Sequence, residues 1–114
     1  MTRESRTNLS SPWFQIMLAL ADGQRHGYGI MQEVEERSSE GFKLWPATLY
    51  GAIKRMVAAG LIEPASSAEG DDRRRRYYQL TEMGRVQLAA EARRLDDLIA
   101  VARSKHVLPA SRGA

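Results

Sequence analysis

The sequence contains no cysteine. That excludes disulfides, thiolate nucleophiles and cysteine-ligated metal sites together, and it fits a reducing compartment. Histidine is nearly absent too: His26 and His106 lie far apart, so no histidine metal cluster is expected. No apolar run approaches the roughly 18 residues that a membrane span needs. The first ten residues hold Arg3 and Arg6 with no apolar stretch after them, so they do not read as a secretory signal. Also missing are a Ser/His/Asp set, a paired-carboxylate arrangement and a glycine loop able to cradle phosphate. Gly27-Tyr28-Gly29 does not extend to a dinucleotide fingerprint. Neither an enzyme nor a bound cofactor or metal is expected, no membrane partner is expected, and the expected location is cytoplasmic.

What is present suits one small soluble domain: 114 residues, 43% hydrophobic and 27% charged. The net charge of +3 says little until it is mapped. Residues 1–42 carry a net of −2, residues 43–76 a net of +3, and the remainder +2. The positive excess thus begins in the middle of the chain. On charge alone a solvated face and a nucleic-acid partner are equally good readings.

Ser10, Ser11 and Pro12 read as a helix start, a hydroxyl cap before a proline in the first turn. That helix carries Trp13, Phe14, Ile16, Met17 and Leu20 on more than one face and stops at Asp22 and Gly23. A tight connection over 24–29 leads to a second helix, about 28–39, with Ile30, Met31 and Val34 inward and Glu33, Glu35 and Glu36 outward. Phe42 to Trp45 reads as extended, with Trp45 bracing a third helix over 46–59. Gly60 stands where a left-handed C-terminal cap is needed. A strand from Leu61, a turn over 66–72 and a strand over 75–80 make a hairpin. In that second strand Tyr78 and Leu80 alternate with Tyr77 and Gln79. Thr81 caps a last helix running to about His106.

Helix, helix, helix, hairpin and long helix make a mainly α chain with a two-stranded β-wing, an α+β winged helix-turn-helix with a long C-terminal dimerisation helix. The expected organisation is a disordered tail over 1–10, the winged domain over 11–80, the dimerisation helix over 81–108 and a second tail over 109–114.

On a wheel at about 100° per residue, the third helix puts Leu49, Ala52, Ile53, Met56 and Val57 on its inner side. The outer side carries Ala47, Thr48, Gly51, Lys54, Arg55 and Ala58, with Tyr50 on the flank. There is no acid among them, whereas the second helix has three. Small residues let a helix sit deep in a major groove, and Lys and Arg reach phosphates or guanine edges. The candidate DNA-binding residues are therefore Thr48, Tyr50, Gly51, Lys54 and Arg55. Arg73, Arg74, Arg75 and Arg76 join them from the wing, where they would meet phosphates or a narrow minor groove unless Asp71 and Asp72 neutralise them.

Several short motifs in order complete the picture: Arg25-His26-Gly27-Tyr28-Gly29-Ile30; Pro46-Ala47-Thr48-Leu49-Tyr50 with Lys54-Arg55-Met56; Gly60-Leu61-Ile62; Arg74 through Tyr78; and Gln79-Leu80-Thr81-Glu82-Met83-Gly84. Together they resemble the PadR family of transcriptional regulators over about residues 18–88. Ala47 is a mild departure, since glycine is frequent there in the family. The resemblance implies a homodimer and usually repression relieved by a small molecule. The short C-terminal helix resembles that of the smaller subfamily, which includes multidrug-sensing regulators with an apolar, aromatic pocket at the dimer interface.

The last helix spaces Leu88, Ala92, Leu95, Ile99, Ala102 and His106 as a heptad seam. With Trp13, Phe14 and Met17 of the first helix, the seam residues Leu88, Ala92, Leu95, Ile99 and Ala102 are the candidate dimerisation residues. A two-fold dimer would read a palindromic operator. Trp13, Leu95 and Ile99 are candidate contacts for an apolar or aromatic effector, by analogy with the related sensors; core packing is the competing role for Trp13. His26 reads as a structural hydrogen-bonder. The competing function is a winged-helix module that binds protein rather than DNA.

Overall fold

The computed structural model describes residues 11–37, 44–65 and 76–109. Expectations for the two tails, for residues 38–43, for the wing tip, and for Arg73, Arg74 and Arg75 fall outside the described residues. The elements run α1 (Ser11–Ala19), β1 (Arg25–His26), α2 (Gly27–Arg37), α3 (Pro46–Ala58), β2 (Ile62–Ala65), β3 (Tyr77–Leu80) and α4 (Glu82–Ser104).

α1 buries Ile16, Met17 and Ala19, α2 buries Ile30 and Val34, and α3 buries Leu49, Ala52, Ile53 and Met56. These are the apolar positions that helical spacing turns to one side, and they meet Leu61, Ile62, Tyr78, Leu80 and Leu88 in a single core. Leu44 at the entry to α3 is also buried, and its N–H donates to the Glu35 carboxylate at 3.3 Å. Trp45, expected to brace α3, is instead 64% exposed at the N-cap position. Pro46 directly after it restricts Trp45 to extended backbone, φ −68 and ψ 146, so the buried anchor falls one residue earlier.

The sheet has three strands rather than two, ordered β1-β3-β2 and antiparallel throughout. In β3, Tyr78 and Leu80 face the core while Tyr77 and Gln79 are partly exposed. The added strand, β1, pairs Arg25 with Tyr78 and His26 with Tyr77, where only a tight turn was expected. Two residues are too few to carry a period-2 signature, so it is pairing with β3 that makes them a strand.

The junction between sheet and α4 is closely tied. Gly60 ends α3 with φ +80, in the left-handed region that favours glycine. Thr81 caps α4: its hydroxyl accepts from the Gly84 N–H at 2.9 Å and donates to the Gly60 carbonyl at 2.6 Å. Gly84 packs so tightly on the Leu61 carbonyl that a side chain there would overlap it.

α4 is about 34 Å long at 1.5 Å per residue, and only its first part joins the core, through Gly84, Leu88 and Glu91. Two candidate dimerisation residues, Leu88 of the seam and Met17 of the first helix, are packed within the chain. Leu88 is 8% exposed and Met17 fully buried, both in the chain's own core, because α1 packs along this stretch of α4. His106 also leaves the seam: the helix ends at Ser104, and His106 has a left-handed φ of 64.

Candidate nucleic-acid interface

α3 presents the mixture its sequence suggests. Ala47, Thr48, Tyr50, Lys54, Arg55 and Ala58 are exposed and Gly51 is half-buried. Arg55 folds back along the helix, its guanidinium nitrogens 3.8 Å from where a side chain on Gly51 would begin. A Cβ at 51 would meet that guanidinium at ordinary contact distance.

A groove of about 250 Å³ separates α3 from the sheet. Tyr50, Ile53, Lys54 and Val57 form one wall, and Pro64, Arg76 and Tyr78 form the other. Its floor is apolar and its two charged residues are both cations, so it suits an anion with an apolar body, as a sugar-phosphate strand is. Among the described residues, Lys54, Arg55 and Arg76 form no ion pair.

Arg25 contrasts with them. Its guanidinium pairs with Glu33 at 3.0 Å and Asp22 at 3.5 Å, and donates to the Ala19 carbonyl at 2.8 Å. It joins the α1–α2 connection to α2, and its charge is already matched. Arg37 holds the same Glu33 at 2.7 Å. The positive potential of this region therefore comes from α3 and the base of the wing.

His26 has the structural place expected of it. Its Nδ1 accepts from the Gly29 N–H at 3.1 Å, capping the first turn of α2. Its ring stacks on Tyr28 at 6.5 Å and meets Tyr77 edge-on at 5.3 Å. Tyr50 has a second contact that helical periodicity does not reveal: its ring and hydroxyl lie against Gly27, filling the space a side chain there would need.

Away from this face, Trp13 and Phe14 are partly buried against the core. Beyond Glu91, α4 carries no buried residue among those described. Leu95 and Ala102 are half-buried, Ala92 is exposed, and Leu98, Ile99 and Val101 are exposed apolar side chains. Glu91 escapes a reading of the sequence. It is 2% exposed and takes a two-pronged contact from Arg94, at 3.0 and 2.6 Å. That hydrogen bonding raises the Arg94 pKa above its ordinary value. A signal for Glu91 does exist: Gly84, Leu88 and Glu91 share the inner face at helical spacing, one position out of phase with Ala92. A carboxylate in an apolar stripe is normally assigned to water. Among the described residues no group of His, Asp or Glu could hold a metal ion, and no described helix is long and apolar enough to cross a membrane.

The model of the transcriptional regulator PadR-like family matches residues 16–90. A transcriptional regulator of Mycobacterium tuberculosis is 36% identical over 78 residues, 68% of this chain and 69% of that protein. The crystal structure of a PadR family transcription regulator from Clostridium difficile R20291 superposes with a TM-score of 0.69 at 32% identity, covering 81% of this chain and 94% of that one. The structure of Bacillus subtilis PadR in complex with operator DNA has a TM-score of 0.61 at 21% identity; 71% of this chain is covered, and 46% of that one. With most of its length inside the family model, and with three helices, a wing and a long final helix in that order, the chain belongs to the PadR-like family of transcriptional regulators.

Proposed function

We propose that this transcriptional regulator is a homodimeric repressor that binds a two-fold-symmetric operator in duplex DNA through α3 and the wing, and that a small apolar or aromatic effector releases it. The observation that carries the DNA reading is the outer face of α3, where Thr48, Lys54 and Arg55 are exposed with no acid among them. Arg76 extends that face across the groove, and Arg73, Arg74 and Arg75 adjoin it in sequence toward the wing tip. Bacillus subtilis PadR, a chain of this fold, is solved in complex with operator DNA, which supports duplex DNA as the partner.

The exposed apolar half of α4 supports the dimer. Leu98, Ile99 and Val101 would otherwise stand in water, and a second copy covers them without any new fold. Two copies would set two α3 helices about one DNA turn apart. The effector is assigned to the space between Trp13, Leu95 and Ile99 and the partner's surface, where its binding would change the spacing of the reading helices.

Electrophoretic mobility shift with the wild type and with Lys54→Glu/Arg55→Glu tests the DNA reading. Wild-type binding that falls steeply with salt, and its loss in the variant with sedimentation unchanged, is the expected outcome. Equal binding by both proteins, or none by the wild type, would remove α3 from the role.

A further inference from the structure

We infer that Tyr50 is a positioning residue, a spacer that holds α3 at its set distance from α2, and that Gly27 is a glycine because Tyr50 occupies its side-chain space. The inference rests on the DNA reading above for its functional consequence, but the contact itself does not.

Gly27 opens α2 and is buried. Its backbone does not need glycine: among the described glycines, only Gly23 and Gly60 have positive φ. Space is the remaining reason. A Cβ at position 27 would lie inside contact distance of three Tyr50 atoms, with the hydroxyl oxygen the nearest. The phenol end therefore points back at the first turn of α2, although the residue as a whole is 48% exposed. A base-reading tyrosine would aim its hydroxyl away from the protein.

The consequence runs along α3. Tyr50 precedes Lys54 by four residues, so the two stand one above the other on the helix surface. Both line the groove that faces Arg76. The Tyr50–Gly27 contact thus fixes where Lys54 stands relative to the wing. Removing the ring lets α3 settle toward α2; adding a methyl at 27 pushes the ring outward. The first change shifts α3 itself; the second moves the phenol end of Tyr50 aside within the outer face, and neither touches a charged group.

Four variants test this: Tyr50→Phe, Tyr50→Ala, Gly27→Ala and the double Gly27→Ala/Tyr50→Ala. Each is titrated against a duplex that the wild type selects from a randomised pool, with circular dichroism and sedimentation recorded alongside. Tyr50→Phe keeps the ring and should keep the wild-type unfolding midpoint and lose less binding than Tyr50→Ala, while Tyr50→Ala and Gly27→Ala each lose about tenfold or more with dimer and helix content retained. In the double variant the losses should not add, because the methyl introduced at position 27 then fills space the ring has left. A Tyr50→Phe loss as large as that of Tyr50→Ala would make the hydroxyl a direct DNA contact and overturn the inference. So would wild-type affinity in Gly27→Ala, or strict additivity. A wild type that selects no duplex overturns the DNA reading instead; the contact is then judged on unfolding midpoints alone, where additive effects of Gly27→Ala and Tyr50→Ala would refute it.

Discussion

Thr81 shows how much one side chain can hold together. Its hydroxyl satisfies the Gly84 N–H and the Gly60 carbonyl, and its own N–H donates to the Leu61 carbonyl at 3.1 Å. Thr81→Ala should lower unfolding stability by about 1–2 kcal/mol in urea titration, the range of strong helix caps. Gly84→Ala should cost more, because its methyl meets the Leu61 backbone carbonyl rather than a side chain that can move aside. The cap at Thr81 is legible from its position before an acidic first turn. The glycine at 84 is legible only as a motif letter, since the carbonyl that forbids a side chain there comes from Leu61, twenty-three positions earlier.

Arg94 belongs to the same scale. A pKa raised in the folded chain contributes stability that is complete below the unfolded value and is lost only as pH rises through the folded one. Arginine's ordinary range is already strongly alkaline, so the Glu91 contact should not weaken between about pH 7 and about pH 10 through Arg94. Arg94→Gln should lower the unfolding midpoint by the same amount at both pH values; a variant whose deficit vanished at the higher pH would contradict the assignment.

α3 is the element where pattern and structure agree best. Leu49, Ala52, Ile53 and Met56 are buried with Val57 half-buried beside them, and the outer positions other than Gly51 are exposed, as a 3.6-residue period requires. Lys54 and Arg76 reach one groove from two elements, so each should neutralise about one phosphate. Arg76→Ala should reduce the slope of log affinity against log salt by roughly 0.9. An unchanged slope in filter-binding titrations would take Arg76 off the DNA. The sheet is the opposite case. β1 has no pattern of its own, and it exists because β3 offers a free edge to Arg25 and His26. α4 lies between these cases. Its heptad spacing picks out apolar positions, but its inner face is one position out of phase, so Leu88 belongs to the core rather than the seam and Glu91 is buried rather than solvated.

For the whole molecule, α4 outruns the body it packs on: beyond Glu91 it carries no buried residue among those described. Leu95, Leu98, Ile99 and Ala102 recur at three- and four-residue steps along the unpartnered stretch, the spacing of a helix–helix contact. Ile99→Asp should shift sedimentation from dimer to monomer and weaken operator binding, while the unfolding of the winged body changes little. A variant that remained dimeric would place the interface elsewhere.

The sequence by itself determined the order of the four helices and the hairpin, the core-facing side of α3, the acid-free outer face and the family. Each of these is written in periodicity, capping residues or short motifs that act within a few positions of one another. Tertiary structure alone decided the third strand, the burial of Glu91 and Met17, and the seat of Tyr50 on Gly27. Each of those depends on what a distant segment places beside the residue. The exposed outer face of α3 was visible in advance because a helix sorts its own sides. The spacing that aims this face was not, because it is set between two helices by the space that one glycine leaves for one tyrosine.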